Sequence, residues 1–147
     1  MIVPSSVLGL GDKVAPSNRI TVGGIGLGPR GRKVLSSFLV QEDCQFVGIA
    51  DPQTERREII KRLTDREYKN TDCVTYDDMT GVLERDDIDA VIIATGDRWH
   101  TTASVYAARA GKDIYCEKPC AMNMQECREL DEEVTKHGRV FQAGTQR

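Results

Sequence analysis

No stretch of this 147-residue chain approaches the roughly 18 consecutive apolar residues that a membrane-spanning helix needs. A membrane partner is therefore not expected. The opening "MIVPSSVLGLGDKVAPSNR" has neither a basic start nor a continuous apolar centre, so it reads as a loose extension over residues 1–18 rather than an intact signal peptide. Positive charge is not in excess: 20 Lys and Arg against 23 Asp and Glu leave a net charge of -3. That balance argues against a nucleic-acid surface, which usually needs a basic face to displace counterions. The five cysteines include no CxxC pair, and an odd number cannot be fully paired within one chain. They read as reduced core thiols. Cys116, Cys120 and Cys127 with His137 match no familiar zinc spacing, and Cys127 falls on the core stripe of a helix, so no metal site is expected. Internal repeats of the solenoid kind and low-complexity runs are also missing.

What is present is an ordinary globular composition, 39% hydrophobic and 29% charged, in a chain long enough to bury about 70% of its unfolded surface in one core. From Arg19 onward, short apolar runs alternate with amphipathic segments, the pattern of βα units stacked around a parallel sheet. Strands are predicted at 19–25, 44–50, 73–76, 88–94, 113–117 and 139–144. Between them lie helices at 30–40, 52–67, 77–84, 99–110 and from Asn123 onward. "IDAVIIA" (88–94) is the most continuously apolar run and belongs at the centre, covered on both faces. Ile59, Ile60 and Leu63 form the inward side of the second helix. Met124, Cys127, Leu130 and Val134 mark a stripe on the last, which opens with Asn123 and Glu126 in capping-box spacing. The fold class is α/β: a doubly wound, six-stranded parallel Rossmann sheet of order 3-2-1-4-5-6 over residues 19–147.

Between the first strand and first helix, Gly26-Leu27-Gly28-Pro29-Arg30-Gly31 satisfies G-x-G-x-x-G. In such a turn the first glycine permits the bend, the second lets a diphosphate approach the main chain, and the third lets helix pack on strand. Phosphate then meets free N–H groups at a helix start. Pro29 suits the first helical turn, and Arg30 adds a positive charge. Twenty positions after Gly31, Asp51 ends the second strand, where a carboxylate accepts ribose hydroxyls and repels a 2′-phosphate. The cofactor reading is NAD in preference to NADP. Arg56 and Arg57 follow; they either soften that preference or are solvated members of a charged helix.

Two further stretches, "ATGDRWH" (94–100) and "AGKDIYCEKP" (110–119), resemble the Gfo/Idh/MocA oxidoreductases, in which an EKP motif ends the fifth strand. "QAGTQR" (142–147) is similar to that family's sixth strand and its exit. The resemblance implies that Lys118 stands beside the nicotinamide and the carbon that gains or loses hydride. A lysine at the end of a central strand opens into the ligand crevice, where partial burial beside another cation would ready it to exchange a proton with a reacting hydroxyl. Glu117 would position Lys118 or the nicotinamide side, and Pro119 would fix the turn through a cis Lys118–Pro119 bond. Trp99 and His100 would lie at the cofactor, Trp99 covering an aromatic face, with Thr95 and Asp97 near ribose or phosphate. His137 reads as a surface residue near a helix end.

Two departures from the family pattern stand out. Gly96 and Arg98 occupy positions where proline and histidine are common, which predicts a looser, more charged loop. The family's second domain, which supplies substrate contacts and usually the oligomer contact, is not expected within these residues, so a homo-oligomer is expected only where that domain is present. The lead-in resembles the mature start that follows a twin-arginine leader in exported relatives. The default compartment is the cytoplasm, with the periplasm implied if such a leader precedes this start. Three functions fit this reading: the nucleotide-binding half of a dehydrogenase acting on a sugar, cyclitol or similar polyol; an NAD-dependent glycosidase working by transient oxidation and elimination; and a non-catalytic NAD-binding module.

Overall fold

The computed structural model describes residues 14–15 and 18–145. Six strands alternate with helices: β1 (Ile20–Ile25), α1 (Pro29–Leu39), β2 (Cys44–Ala50), α2 (Thr54–Tyr68), β3 (Val74–Tyr76), α3 (Thr80–Leu83), β4 (Ala90–Ile93), α4 (His100–Arg109), β5 (Asp113–Cys116), α5 (Met124–Lys136) and β6 (Phe141–Ala143). The sheet runs β3-β2-β1-β4-β5-β6 with every pair parallel. This is the order expected from the sequence.

Strand periodicity divides the core into two layers, because successive side chains point to opposite faces. On one face Ile25, Val91, Ile93 and Ile114 pack with Ala103, Ala107 and Ala108 of α4. On the other Val22, Phe46, Ile49 and Ile92 meet Leu27, Val34 and Leu35 beside α1, and Ile60 of α2. Burial of both faces is what makes β4 read as an uninterrupted apolar run. Each fully covered Leu, Ile or Phe contributes about 1.5–3 kcal/mol through removal of its surface from water.

Several boundaries differ from expectation for local reasons. The third helix is a single turn, because the Asp78 Oδ1 accepts the Thr80 N–H at 2.9 Å and starts the helix late. On α2 only Ile60 and Thr64 are buried, and Ile59 and Leu63 are partly covered. Around 97–99 the loop is an ordered 3-10 turn, closed by the Trp99 N–H on Gly96 O at 2.8 Å, rather than a looser connection. The capping box forms as predicted: Asn123 Oδ1 accepts from the N–H of Gln125 and of Glu126. The stripe behind it is only half covered, however. Leu130 is buried and Val134 packs on the core, while Met124 is 70% exposed and Cys127 is exposed. Cys127 is thus not a core thiol: α5 meets α4 at both ends, with Thr101 Oγ1 donating to Glu126 Oε2 at 3.0 Å and Arg109 paired with Glu133 at 2.7 Å, and Cys127 stays exposed between them. Cys44, Cys73 and Cys116 are buried, and Cys120 is half-buried.

Candidate functional site

Parallel strands deliver all their carboxyl ends to one rim, and the residues that follow them meet there. Gly26 follows β1, Asp51 follows β2, Asp77 follows β3, and Thr95 lies just past β4. Together they line an open cleft of about 250 Å³, just below the usual range of ligand pockets, about 300–1,000 Å³.

The glycine turn is built as its motif requires. Gly26 has φ +68°, and a Cβ there would lie 2.8 Å from the Thr95 Cα, so neither a side chain nor a different backbone fits. Gly31 faces Leu27 and Ala94 so closely that a Cβ would sit 2.9–3.0 Å from their side chains; this is helix-on-strand packing. Gly28 differs. Its φ of -65° suits any residue, and a Cβ there would meet only the Arg56 guanidinium, at 3.6 Å. The fold itself does not require a glycine at 28, so the space in front of it is available to a ligand.

Gly28 is also the N-cap of α1, with no side-chain cap and no acid in the first turn. The N–H groups and dipole at this helix start are therefore not neutralised by a capping side chain. A diphosphate fits both features, the open face of Gly28 and the uncapped amides.

Asp51 is 2% exposed and lines the cleft. Its Oδ1 accepts the Gln53 N–H at 2.8 Å, and among the described residues its Oδ2 has no hydrogen-bond partner. Thr95 and Trp99 line the same cleft, with Trp99 59% exposed. Asp97 lies in the 3-10 turn and is exposed, outside the cleft lining.

Arg30 is turned toward Glu117: Nε and Nη2 both lie 2.9 Å from Oε1. A cation in the first turn of a helix faces the positive end of the dipole, and the carboxylate offsets that placement. The Glu117 side chain is 4% exposed, and among the described residues its Oε2 is buried without a partner.

His100 is 1% exposed and lies beneath the rim, not among the cleft-lining residues. Its Nδ1 is 2.7 Å from Pro119 O and its Nε2 3.2 Å from Thr95 O. A ring nitrogen donates only where it carries a proton, and each of these nitrogens faces a carbonyl acceptor. The ring joins the loop after β4 to the turn after β5. The Lys118–Pro119 bond in that turn is cis, and Lys118 is exposed, so the partial burial expected for it is not found.

Sequence reasoning missed the third wall of the cleft. Asp77, Asp78 and Met79 line it; Arg56, one of the two arginines weighed from the sequence, joins the cleft from the first turn of α2. The signal was available: β3 also ends at the rim, so the residues after it belong in any search of strand ends. Among the described residues, no group of three or more His, Cys, Asp or Glu is placed to hold a metal ion, and no helix is long and apolar enough to cross a membrane.

Sheet order, crossover helices and the glycine turn define a Rossmann domain. Within that class, the family model of the Gfo/Idh/MocA proteins, described as "Oxidoreductase family, NAD-binding Rossmann fold", matches residues 20–145. The chain belongs to this family. It is 31% identical over 120 residues to the 2,7-anhydro-N-acetylneuraminate hydratase of Mediterraneibacter gnavus, covering 82% of this chain and 30% of that protein. A glycosyl hydrolase family 109 protein of Shewanella putrefaciens is 32% identical over 126 residues, 83% of this chain and 27% of its own length. The chain therefore spans less than a third of these curated relatives. Among solved structures, the 3-ketoreductase KijD10 of Actinomadura kijaniata, in complex with NADP and TDP-benzene, is similar with a TM-score of 0.77. The likeness covers 86% of this chain and 37% of that one at 23% identity, a level that shows the fold alone.

Proposed function

We propose that this chain binds a nicotinamide dinucleotide across the carboxyl rim of its sheet, as the nucleotide-binding part of an enzyme acting on a sugar, cyclitol or similar polyol. The observation that carries this reading is the convergence at one cleft of three features: an open-faced Gly28, the uncapped start of α1, and Asp51 with a free carboxylate oxygen. The first-turn amides of α1 hold the diphosphate, and Asp51 Oδ2 accepts from a ribose hydroxyl of the adenosine. Trp99 covers one face of the cofactor, and Thr95 contacts its sugar or phosphate. The bound nicotinamide supplies the hydride acceptor and donor.

Lys118 stands just past the end of β5, where its amine accepts the carbinol proton as the carbon is oxidised and its ammonium donates one as the carbonyl is reduced. Glu117 and His100 fix the turn that carries it. In the leading reading hydride passes between a secondary carbinol and the nicotinamide.

A second reading draws on the similarity to a glycosyl hydrolase family 109 protein. Here transient oxidation acidifies a neighbouring C–H, the glycosidic group is eliminated, and the hydride returns. Accumulation of NADH with a free sugar supports the first reading; cleavage of an aryl glycoside without net NADH supports the second. The cleft itself is tested by titration calorimetry with NAD. Asp51→Ala is expected to weaken binding at least about tenfold, a loss of about 1.4 kcal/mol, and unchanged affinity would overturn the assignment.

A further inference from the structure

The turn after β5 holds two thiols that the reading of the cleft does not use. Cys116 ends the strand and Cys120 follows Pro119, so the run Cys116-Glu117-Lys118-Pro119-Cys120 puts one sulfur on each side of the EKP segment. Both sulfurs gather on one peptide group. The Cys116 Sγ is 3.4 Å and the Cys120 Sγ 3.9 Å from Glu117 O, and the Cys120 Sγ also lies 4.0 Å from Cys116 O. Burial pushes both thiols up, Cys116 to about 12, and each also acts on the other's ionisation. Their surroundings differ: Cys116 is fully buried, whereas Cys120 is half-buried and partly open to solvent. Neither residue lines the cleft.

We propose that Cys116 and Cys120 are a redox-active pair, which a small peroxide oxidant closes into a disulfide across the EKP turn. The half-buried thiol reacts first: the Cys120 sulfur attacks one oxygen of hydrogen peroxide, forming a sulfenic acid and releasing water. The Cys116 sulfur then displaces that hydroxyl, the S–S bond forms, and a second water leaves with the Cys116 proton. Two thiols lose two electrons and two protons, and the peroxide is reduced to two waters. Burial leaves little thiolate at either sulfur, so the first step is slow. The second follows because the partner is held in the same turn, at an effective concentration that a thiol in solution does not reach. The ring so closed contains Glu117, Lys118 and Pro119, and a thiol reductant reopens it.

The test removes the exposed thiol with Cys127→Ser, so that the tryptic peptide from Asp113 to Arg128 contains Cys116 and Cys120 alone. The folded chain is treated with hydrogen peroxide, unfolded, alkylated, digested and weighed by mass spectrometry. This peptide is expected to carry no alkyl group and to be two hydrogens lighter than its reduced form, apart from oxygen added at the exposed Met122 and Met124. Dithiothreitol should restore two alkylatable sulfurs, while Cys44 and Cys73 stay free throughout. Adding Cys120→Ser should leave Cys116 reduced under the same treatment, because the oxidant has lost its point of entry. The proposal is overturned if both thiols remain alkylatable after peroxide, if Cys120 proceeds to sulfinic acid beside a free Cys116, or if Cys120 joins a second copy of the chain. Oxidation of Cys116 in the Cys120→Ser chain would overturn it as well. Each of these outcomes is read without NAD, so the result stands apart from the dinucleotide reading above.

Discussion

Arg30 and Glu117, 87 positions apart, meet as an ion pair with Nε and Nη2 each 2.9 Å from one carboxylate oxygen. The pair ties the first turn of α1, behind the glycine motif, to the EKP turn after β5. The two ends of the candidate site are thereby held in one frame.

Because Glu117 is buried and its other oxygen has no partner among the described residues, removing Arg30 takes away the carboxylate's ion pair. Arg30→Ala is expected to lower unfolding free energy by about 1–3 kcal/mol. Urea titration checks this, and the loss should shrink when Glu117→Gln is added. An unshifted midpoint would show that the pair contributes nothing to stability.

His100 acts as a clasp between Thr95 O and Pro119 O. His100→Ala removes a buried ring and orphans a carbonyl, at an expected cost of about 2–4 kcal/mol. The same titration measures it, and a cost below that of an ordinary surface change would contradict the clasp.

Burial pushes the thiols of Cys44 and Cys73 up to about 11 and that of Cys116 up to about 12. With a thiol-counting reagent at neutral pH, Cys127 should react at once, Cys120 slowly, and the other three only after unfolding. The raised values also set a direction. The unfolded chain ionises its thiols first, so stability is fully present below about pH 9 and declines as pH rises through the folded values. A chain equally stable at pH 7 and about pH 11 would contradict this.

The carboxyl of Glu133 is held down to about 2, chiefly by its hydrogen bond from Arg109 on α4. A depressed acid stabilises the fold above the unfolded carboxyl value of about 4.5 and loses that contribution as pH falls toward 2. Thermal melts of wild type and Glu133→Gln should therefore differ at pH 6, draw together below about pH 4, and converge only at about pH 2 or below. Parallel curves across that range would contradict the assignment.

The sheet was legible because β4 is apolar on both faces and the glycine turn and Asp51 occur at fixed offsets from strand ends. Those are local signals. What was not legible depends on contacts across the fold. His100 looks like a cofactor ligand in sequence, but the nearness of two carbonyls 5 and 19 residues away takes it beneath the rim. Cys127 falls in register with Leu130, yet Leu130 is buried and Cys127 is exposed. Arg56 and Arg57 are alike in sequence, either near the cofactor or solvated, and only the fold of α2 beside the glycine turn brings Arg56 to the cleft.

The account stands most directly on Gly28, whose face the fold leaves open. Gly28→Ala should melt at the wild-type temperature, because its φ is ordinary and its only neighbour within 4 Å is the Arg56 guanidinium. In calorimetric titration with NAD the variant should bind at least about tenfold more weakly, as a methyl group would stand where the diphosphate approaches. Full wild-type affinity in a folded Gly28→Ala chain would mean that no dinucleotide lies against this turn.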